Sequence, residues 1–310
     1  MKLVIVGAGG RLGAALMRAY GGKFDAVGFN HAQLDLGDEK RIMDVISPLQ
    51  VDILINAAAF TNVDLCEKER DQAFRVNADA PRVLAEICRR KKAKLIHFST
   101  DYVFDGEKRE PYHEEDEARP ISVYGESKRE GEKLVLQTDD RHLVVRVSWV
   151  FGPDRPSFID GMIKRARENE HIDAIADKFS TPTYTGDIAE MLPRFFGPVA
   201  GVADPGRATS ERGKTGVDDS SYSGILHFAN AGECNWQEYA QFALDCCRSL
   251  GISLKAKTVG ASKLADMKNW MARRPVYSVL SSEKFFSLTG ATPRNWRDAV
   301  AEYLREVAVT

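Results

Sequence analysis

Residues 1–13 read Met1-Lys2-Leu3-Val4-Ile5-Val6-Gly7-Ala8-Gly9-Gly10-Arg11-Leu12-Gly13. Leu3 to Val6 is a short, unbroken apolar run rich in β-branched side chains, which predicts a strand buried on both faces. The glycines stop it, and from Arg11 the pattern predicts a helix over 11–20. Glycine permits the tight turn between the two, the close approach of backbone to a pyrophosphate, and close packing of helix on strand. The helix N-terminus adds free N–H groups and the positive end of its dipole. Gly7, Gly10 and Gly13 keep a G-x-x-G-x-x-G spacing, with Arg11 and Leu12 before the last glycine. A purely structural glycine turn is the plain alternative, and the strand–turn–helix context argues against it. The same context argues against a secretory leader, because the apolar run is very short and lacks a cleavage pattern.

Outward from this unit the pattern repeats. Short β-branched runs at 3–6, 26–29, 53–55, 94–98 and 142–147 alternate with helical patterns at 11–20, 38–49, 67–91 and 123–137. Such alternation predicts right-handed βαβ crossovers and a doubly wound (Rossmann) α/β fold, a parallel sheet covered on both faces with ligands at the carboxyl ends of its strands. After Phe151 the regular alternation lapses. A helix near 157–169, an extended 171–176, a helix from Asp187, a strand at 225–228, a helix capped by Asn235 and a helix at 295–309 predict a second, smaller α/β lobe. The expected division is an NAD(P)-binding domain over 1–150 plus about 183–231, and a substrate-binding lobe over 151–182 plus 232–310. Residues 204–224 are poor in apolar side chains and rich in Gly, Ser, Asp and Arg, so they read as a mobile surface insert.

The 310 residues exceed the usual single-domain size, in keeping with two lobes. With 28% charged residues and a formal net charge of −2, the chain lacks the basic surplus that nucleic acid or an anionic membrane would select. No apolar stretch is long enough for a bilayer. The five cysteines (Cys66, Cys88, Cys234, Cys246, Cys247) are odd in number and lack C-x-x-C spacing. They predict reduced thiols in a cytoplasm, with neither a disulfide frame nor a zinc site, and no metal is expected.

Two constellations carry chemistry. An acidic residue after the second strand would hold the adenosine ribose. Here Gly28-Phe29-Asn30-His31 offers Asn30 instead, while Arg11 in the glycine turn could meet a 2′-phosphate. A solvated arginine at a helix start is an equal reading of Arg11. The balance predicts NADPH over NADH, with NADH still admissible. The second constellation is Tyr124-Gly125-Glu126-Ser127-Lys128, whose Tyr and Lys at i and i+4 share a helix face. Bringing a phenol from about 10 toward neutrality costs on the order of 4 kcal/mol, which a neighbouring ammonium and a cationic nicotinamide in a dry site would supply. Y-x-x-x-K alone usually marks an exposed helix face. Thr100, at the end of a predicted strand and able to bond a carbonyl that Tyr124 protonates, raises it above that.

Asn56-Ala57-Ala58-Ala59 at a strand end, then Asn77, Thr100, Tyr124 and Lys128 in that order, resemble the extended short-chain dehydrogenases/reductases. Within them the chain resembles the dTDP-4-dehydrorhamnose reductase family. The resemblance runs through INAAAFTNVDLCE (55–67), VNADAP (76–81), STDYVFDG (99–106), YGESKREGEK (124–133), RVSWVFG (146–152), DKFSTPT (177–183) and ARRPVYSVLSSEKF (272–285). These segments span nearly the whole chain, and residues 204–224 depart from the pattern. The resemblance implies that Gly7, Gly10 and Gly13 hold the pyrophosphate, that Asp35 and Leu36 lie near adenine, and that Ala57, Ala58 and Ala59 lie along the cofactor. It implies Tyr124 as general acid, Lys128 as its pKa modifier and ribose ligand, and Asn77 in a structural or relay role. Thr61, Val63, Asp64, Thr100, Val103, Trp149 and Arg274 are implied for a sugar-nucleotide pocket. A core aromatic is an equal reading of Trp149, and a helix N-terminal charge is the plain reading of Asp64. The implied reaction is NADPH-dependent reduction of the 4-keto group of dTDP-4-dehydro-L-rhamnose to dTDP-L-rhamnose, a sugar nucleotide for cell-surface polysaccharide. Rivals are a sister dehydratase or epimerase and a non-catalytic subunit like the β subunit of methionine adenosyltransferase. Dehydratases of the superfamily carry Asp-Glu after the threonine, where this chain has Asp101-Tyr102. The intact Thr100, Tyr124 and Lys128 favour catalysis. A homodimer is left open.

Overall fold

The computed structural model describes residues 1–197 and 222–309, with side chains through residue 307. The first half runs β1 (Lys2–Val6), α1 (Arg11–Tyr20), β2 (Asp25–Phe29), α2 (Glu39–Ile46), β3 (Ile53–Asn56), α3 (Val63–Lys68), α4 (Arg70–Phe74), α5 (Ala80–Lys91), β4 (Lys94–Thr100), α6 (Val123–Thr138) and β5 (Leu143–Val147). The second half continues with β6 (Val150–Phe151), α7 (Phe158–Glu168), β7 (Ile172–Ile175), β8 (Phe179–Ser180), β9 (Thr183–Tyr184), α8 (Thr185–Met191), β10 (Gly224–His227), β11 (Cys234–Asn235), α9 (Trp236–Ser249), β12 (Val259–Ser262), α10 (Glu283–Thr289) and α11 (Trp296–Val309). Six strands form one parallel sheet in the order β10-β5-β4-β3-β1-β2. This is the expected doubly wound α/β architecture.

Strand alternation builds the layers. Leu3 and Ile5 of β1 point to one face, where they pack with Leu12, Leu16 and Tyr20 of α1 and Ile188 of α8. Val4 and Val6 point to the other, against Ile42 and Ile46 of α2 and Leu84 and Ile87 of α5. Each such fully buried side chain contributes roughly 1.5–3 kcal/mol of burial free energy, so both faces are specified by a strand apolar throughout. Helix starts follow local chemistry. Asp38 Oδ1 accepts from Arg41 N at 3.0 Å at the head of α2, and Ser122 Oγ from Gly125 N at 3.2 Å at the head of α6. Asn235 Oδ1 accepts from Glu238 N at 2.8 Å while the Glu238 carboxylate accepts from Asn235 N at 3.0 Å, the reciprocal box expected of that cap.

The sequence pattern over 67–91 predicts one helix, and the structure breaks it. Helical turns begin at Val63, restart at Arg70, and widen to a π turn over Arg75–Asp79 before α5. Pro81 has no N–H for the Asn77 carbonyl, so the bond ladder must reset there. The freed Asn77 carbonyl lies against Gly131 of α6, where a Cβ would stand 2.1 Å from the oxygen.

A second core gathers Phe151 of β6 with Ile159, Met162, Tyr239, Leu244, Trp296 and Tyr303 from α7, α9 and α11. α10 returns to the sheet, placing Phe285 beside Phe195 and Phe228. Most of the expected insert, 204–221, lies outside the described residues. Its far end is corrected: Tyr222 Oη donates to Ile225 O at 2.7 Å, Tyr222 O accepts from Lys94 Nζ at 2.7 Å, and Gly224 already opens β10. All five cysteines are free thiols, four of them buried. No described helix is long and apolar enough to cross a membrane.

Candidate active site

From β1 the chain turns to β2 on one side, and from β3 to β4 on the other, so the loops after β1 and β3 part at the carboxyl edge of the sheet. That parting is where an open α/β sheet takes a ligand. Gly7 there has φ +85°, and a Cβ on it would stand 2.7 Å from the Ala58 amide nitrogen. A Cβ on Gly13 would stand 2.1 Å from the Gly7 carbonyl oxygen, so helix and turn are in backbone contact. α1 starts at Gly10 with no side-chain cap, which leaves its first-turn amides for a ligand. Leu12 anchors that turn in the core. The residues present therefore fit a dinucleotide pyrophosphate, with half-buried Ala57, Ala58 and Ala59 forming the facing loop.

At the adenosine end, Asn30 and Gln33 exchange hydrogen bonds at 3.0 and 3.1 Å. Asp35 accepts from Gly37 N at 2.8 Å, while the Leu36 side chain belongs to the core. Arg11 is placed differently from the expectation. Its guanidinium donates to the carbonyls of Val150 and Arg155 at 3.2 Å each and to that of Pro156, so it is spent on tying α1 to β6 and the turn that follows it. Arg155, which no motif singles out, reaches back instead. Its Nε donates to Gly9 O at 2.9 Å, and a Cβ at Gly9 would stand 3.9 Å from Arg155 Nη2 and 3.1 Å from Asn30 Cβ.

One wall, carrying Thr100, Tyr124 and Lys128, is built by β4 and α6. Thr100 ends β4, its Oγ accepting from Tyr102 N at 3.2 Å and donating to Asp101 Oδ1 at 3.0 Å. Tyr124 sits in the first turn of α6 and Lys128 one turn on, fully buried. Burial pushes the Tyr124 phenol up; a hydrogen bond between the Thr100 and Tyr124 side chains opposes this and the Asp101 charge reinforces it. Lys128 Nζ donates to Phe98 O at 2.7 Å and lies 3.2 Å from His97 Nε2. Burial lowers this ammonium to about 8, with the Glu132 charge one turn along α6 opposing. The expected depression of the phenol by Lys128 is thus not seen in the protein alone, because the ammonium is held beneath by β4. His97, pushed well below its ordinary value by burial and by Lys128, is neutral and bridges Lys128 to Asn56 Nδ2, 3.1 Å from its Nδ1. A histidine inside the apolar run of 94–98 is the one local signal for it.

Asn77 acts as a clamp. Its Oδ1 accepts from Phe60 N at 2.8 Å, and its Nδ2 donates to Phe60 O at 3.1 Å and to Ser127 Oγ at 3.0 Å, joining the loop after β3 to α6. Asp101 is a buried hub that accepts from Ser278 at 2.6 Å, from Ser148 and Ser180 at 3.2 Å each, and from Thr100.

The opposite wall starts between β5 and β6 and packs on the core around Trp296. Trp149 has φ +43°, an uncommon backbone for a non-glycine residue, and stacks with Phe158 and Tyr239 and against Trp236. Trp236 continues to Trp270, and the Arg274 guanidinium lies 3.7 Å from the Trp270 ring centroid. Arg274 is held by Asp64 at 2.8 Å, and Asp64 Oδ1 also accepts from Met271 N and Ala272 N at 2.9 Å each. Asp64, in the first turn of α3, therefore fastens the two walls together. Thr61 is exposed and Val63 half-buried at the cleft edge of α3. Val103 is fully buried, its side chain packed with Phe104, Tyr112 and Tyr277 in the core. Lys178 is fully buried as well, 5.3 Å from the Tyr102 ring centroid and 5.8 Å from that of Trp149. Composition gives no hint of it, since lysines are usually exposed.

A parallel sheet with a glycine cradle at its switch point, and a Thr/Tyr/Lys set on the neighbouring strand and helix, defines a dinucleotide-dependent dehydrogenase/reductase of the short-chain class. The chain belongs to the RmlD substrate binding domain family, whose model matches residues 1–309. It is similar to the dTDP-4-dehydrorhamnose reductase of Aggregatibacter actinomycetemcomitans, 32% identical over 301 residues, covering 96% of this chain and 97% of that protein. The dTDP-4-dehydrorhamnose reductase of Escherichia coli K12 is 30% identical over 314 residues, covering 100% and 99%. Among solved structures, a dTDP-4-dehydrorhamnose reductase from Bacillus anthracis in complex with NADP superposes with a TM-score of 0.84 at 29% identity, covering 98% of this chain and 99% of that one.

Proposed function

We propose that the protein reduces the 4-keto group of dTDP-4-dehydro-L-rhamnose to dTDP-L-rhamnose with NADPH. The observation that carries this reading is the Tyr124 side chain hydrogen-bonded to Thr100 at the carboxyl edge of the sheet, with Lys128 one turn along α6, in a chain similar over its whole length to reductases of that substrate. When bound, the nicotinamide supplies the hydride. Tyr124, held as the neutral phenol by burial and by the Asp101 charge, donates the proton that the new alkoxide oxygen needs. Thr100, hydrogen-bonded to Tyr124, orients the carbonyl, and Lys128 holds the ribose side from beneath α6. Asp101 is already engaged by Thr100 at Oδ1 and by Ser148, Ser180 and Ser278 at Oδ2, and Tyr102 follows it where a dehydratase has Glu, which favours reduction over dehydration. The relative solved with NADP supports NADPH as the cofactor. We take the cofactor-binding lobe as 1–150 plus about 183–231 and the rest as the substrate lobe, supported by the separate core around Trp296. We place the enzyme in the cytoplasm, in keeping with five unpaired thiols. Incubation with NADPH and dTDP-, UDP- and GDP-linked 4-keto-6-deoxy sugars tests the reading. NADPH oxidation with the dTDP sugar is expected; oxidation only with a UDP or GDP sugar overturns it.

A further inference from the structure

Among the described residues of the cleft, Lys178 is a buried charge that the reaction above does not use. Its side chain is fully inside the protein, and its Nζ has no hydrogen-bond partner among the described residues. Burial of an unpaired ammonium is costly, and proteins normally pair such a charge. Here the neighbouring groups are already committed. Asp101, the nearby carboxylate, is filled by Thr100, Ser148, Ser180 and Ser278. Arg274 adds a second positive charge to the same space and is itself held by Asp64. What remains around Nζ are two aromatic faces, Tyr102 at 5.3 Å and Trp149 at 5.8 Å, and the charge of Asp101, which favour a cation but give it no hydrogen bond among the described residues. Burial lowers the group only to about 8, so it stays charged at neutral pH. It is a cation short of a partner.

The position says which partner. The Tyr102 ring meets the Tyr124 ring edge-on with centroids 5.6 Å apart, so one aromatic ring separates Lys178 from the acid that protonates the carbonyl. In a 4-keto nucleotide sugar, one pyranose ring separates the carbonyl from the anomeric phosphate. We propose that Lys178 anchors the substrate's diphosphate, an ammonium kept dry and unpaired between Tyr102 and Trp149 until the sugar nucleotide enters. This rests on the dTDP-sugar reading of the site. The second lobe thereby gains a specific role. The diphosphate fixes the sugar so that its carbonyl meets Tyr124, and remote binding energy positions the reacting atoms.

The test is calorimetric titration of dTDP into the wild-type protein and into Lys178→Met, which keeps the length of the side chain and removes the charge. Loss of a charge-assisted contact is expected to weaken dTDP by about 10- to 100-fold and to raise KM for the dTDP sugar by a similar factor. The same substitution should raise Tm in the absence of ligand, because an unpaired buried charge has gone. Lys178→Gln, which retains a donor without the charge, should bind dTDP with intermediate affinity. Equal dTDP affinity in wild type and Lys178→Met, with only kcat falling, would put Lys178 on the sugar and overturn the proposal. A marked loss of Tm would overturn it too, by showing that the ammonium is already satisfied. Wild-type protein that ignores dTDP overturns the reading of the function itself, and this one with it.

Discussion

Two fully buried lysines stand in the two walls of the cleft, and both are pulled by burial to about 8. Lys128, on α6, has the Phe98 carbonyl and His97 as partners and Glu132 as a counter-charge one turn away. Lys178, in the second lobe, has two aromatic faces and no hydrogen bond among the described residues. Equal burial and an equal shift therefore mean different things. The first wall is finished before any ligand arrives: its cation is aimed, and its phenol is held protonated. The second is completed by the ligand. A reaction centre needs fixed geometry and a binding wall needs an unmet charge, and the same residue type serves both according to what lies around it.

The largest effect should come from breaking the finished wall at its acid. Tyr124→Phe removes the proton donor and leaves the ring in place, and turnover should fall by about 100- to 10,000-fold. NADPH binding, followed by nicotinamide fluorescence, should persist, since the glycine cradle and Lys128 are untouched. Turnover near that of the parent in this variant would remove Tyr124 from the chemistry and with it the contrast between the walls.

The support beneath that wall comes next. Arg146 of β5 and Glu132 of α6 form a buried two-pronged pair at 2.8 Å on both branches, with the Arg146 guanidinium over the Phe104 ring. Glu132→Gln leaves Arg146 buried without its anion, at a cost of about 3–5 kcal/mol measured by denaturant titration. Glu132 also raises the Lys128 pKa, so the variant should lose activity at lower pH than the parent. Unchanged stability would mean that the pair is not the strut holding Lys128 in place.

The first wall is the more readable of the two. Gly7, Gly10 and Gly13, Thr100, Tyr124 and Lys128 sit in short local patterns whose spacing expresses their chemistry directly: a turn, a strand end, one helix face. The second wall depends on contacts between distant segments. Asp64 meets Arg274 across 210 positions, and Asp101 collects hydroxyls from Ser148, Ser180 and Ser278. No local period records such pairs. Resemblance offers Val103 for the pocket without showing that its side chain packs in the core, and nothing within DKFSTPT marks Lys178 as buried. Arg11 shows the same limit. Its position in the glycine turn suggests a phosphate, whereas the fold turns it to Val150, Arg155 and Pro156. The break at Pro81 has a visible cause in the missing N–H, yet helical periodicity on either side conceals it.

The two lysines can be separated by pH. Both ammonium groups are charged below about 8 and lose the proton above it, so wild-type kcat/KM should fall as pH rises through about 8. The arrangement of the walls divides that fall. Loss of the Lys178 charge should raise KM, and loss of the Lys128 charge should lower kcat. In Lys178→Met the alkaline rise of KM should vanish while the fall of kcat remains. Profiles of kcat and KM for the two proteins over pH 6–10 (about four units spanning both charge states) read this directly. A KM that still climbs in the variant breaks the assignment.

The smallest effect concerns the arginines at the adenosine end, where the two lobes meet. Arg11 leaves the first lobe to bind second-lobe carbonyls, and Arg155 leaves the second to bind Gly9 O beside Asn30. They have exchanged places, and their expected roles exchange with them. Arg155 is exposed and close to the position where a missing carboxylate leaves room for a 2′-phosphate. Because solvent screens an exposed contact, Arg155→Ala should weaken NADPH by only about 3- to 10-fold, with NADH nearly unaffected. Arg11→Ala should leave the ratio of the two cofactors intact and instead loosen the lobes, seen as a lower Tm and faster amide exchange in α1. If Arg11→Ala shifts the cofactor ratio and Arg155→Ala does not, the sequence pattern is the better guide to this corner, and the Arg11 contacts with Val150 and Pro156 give way when cofactor binds.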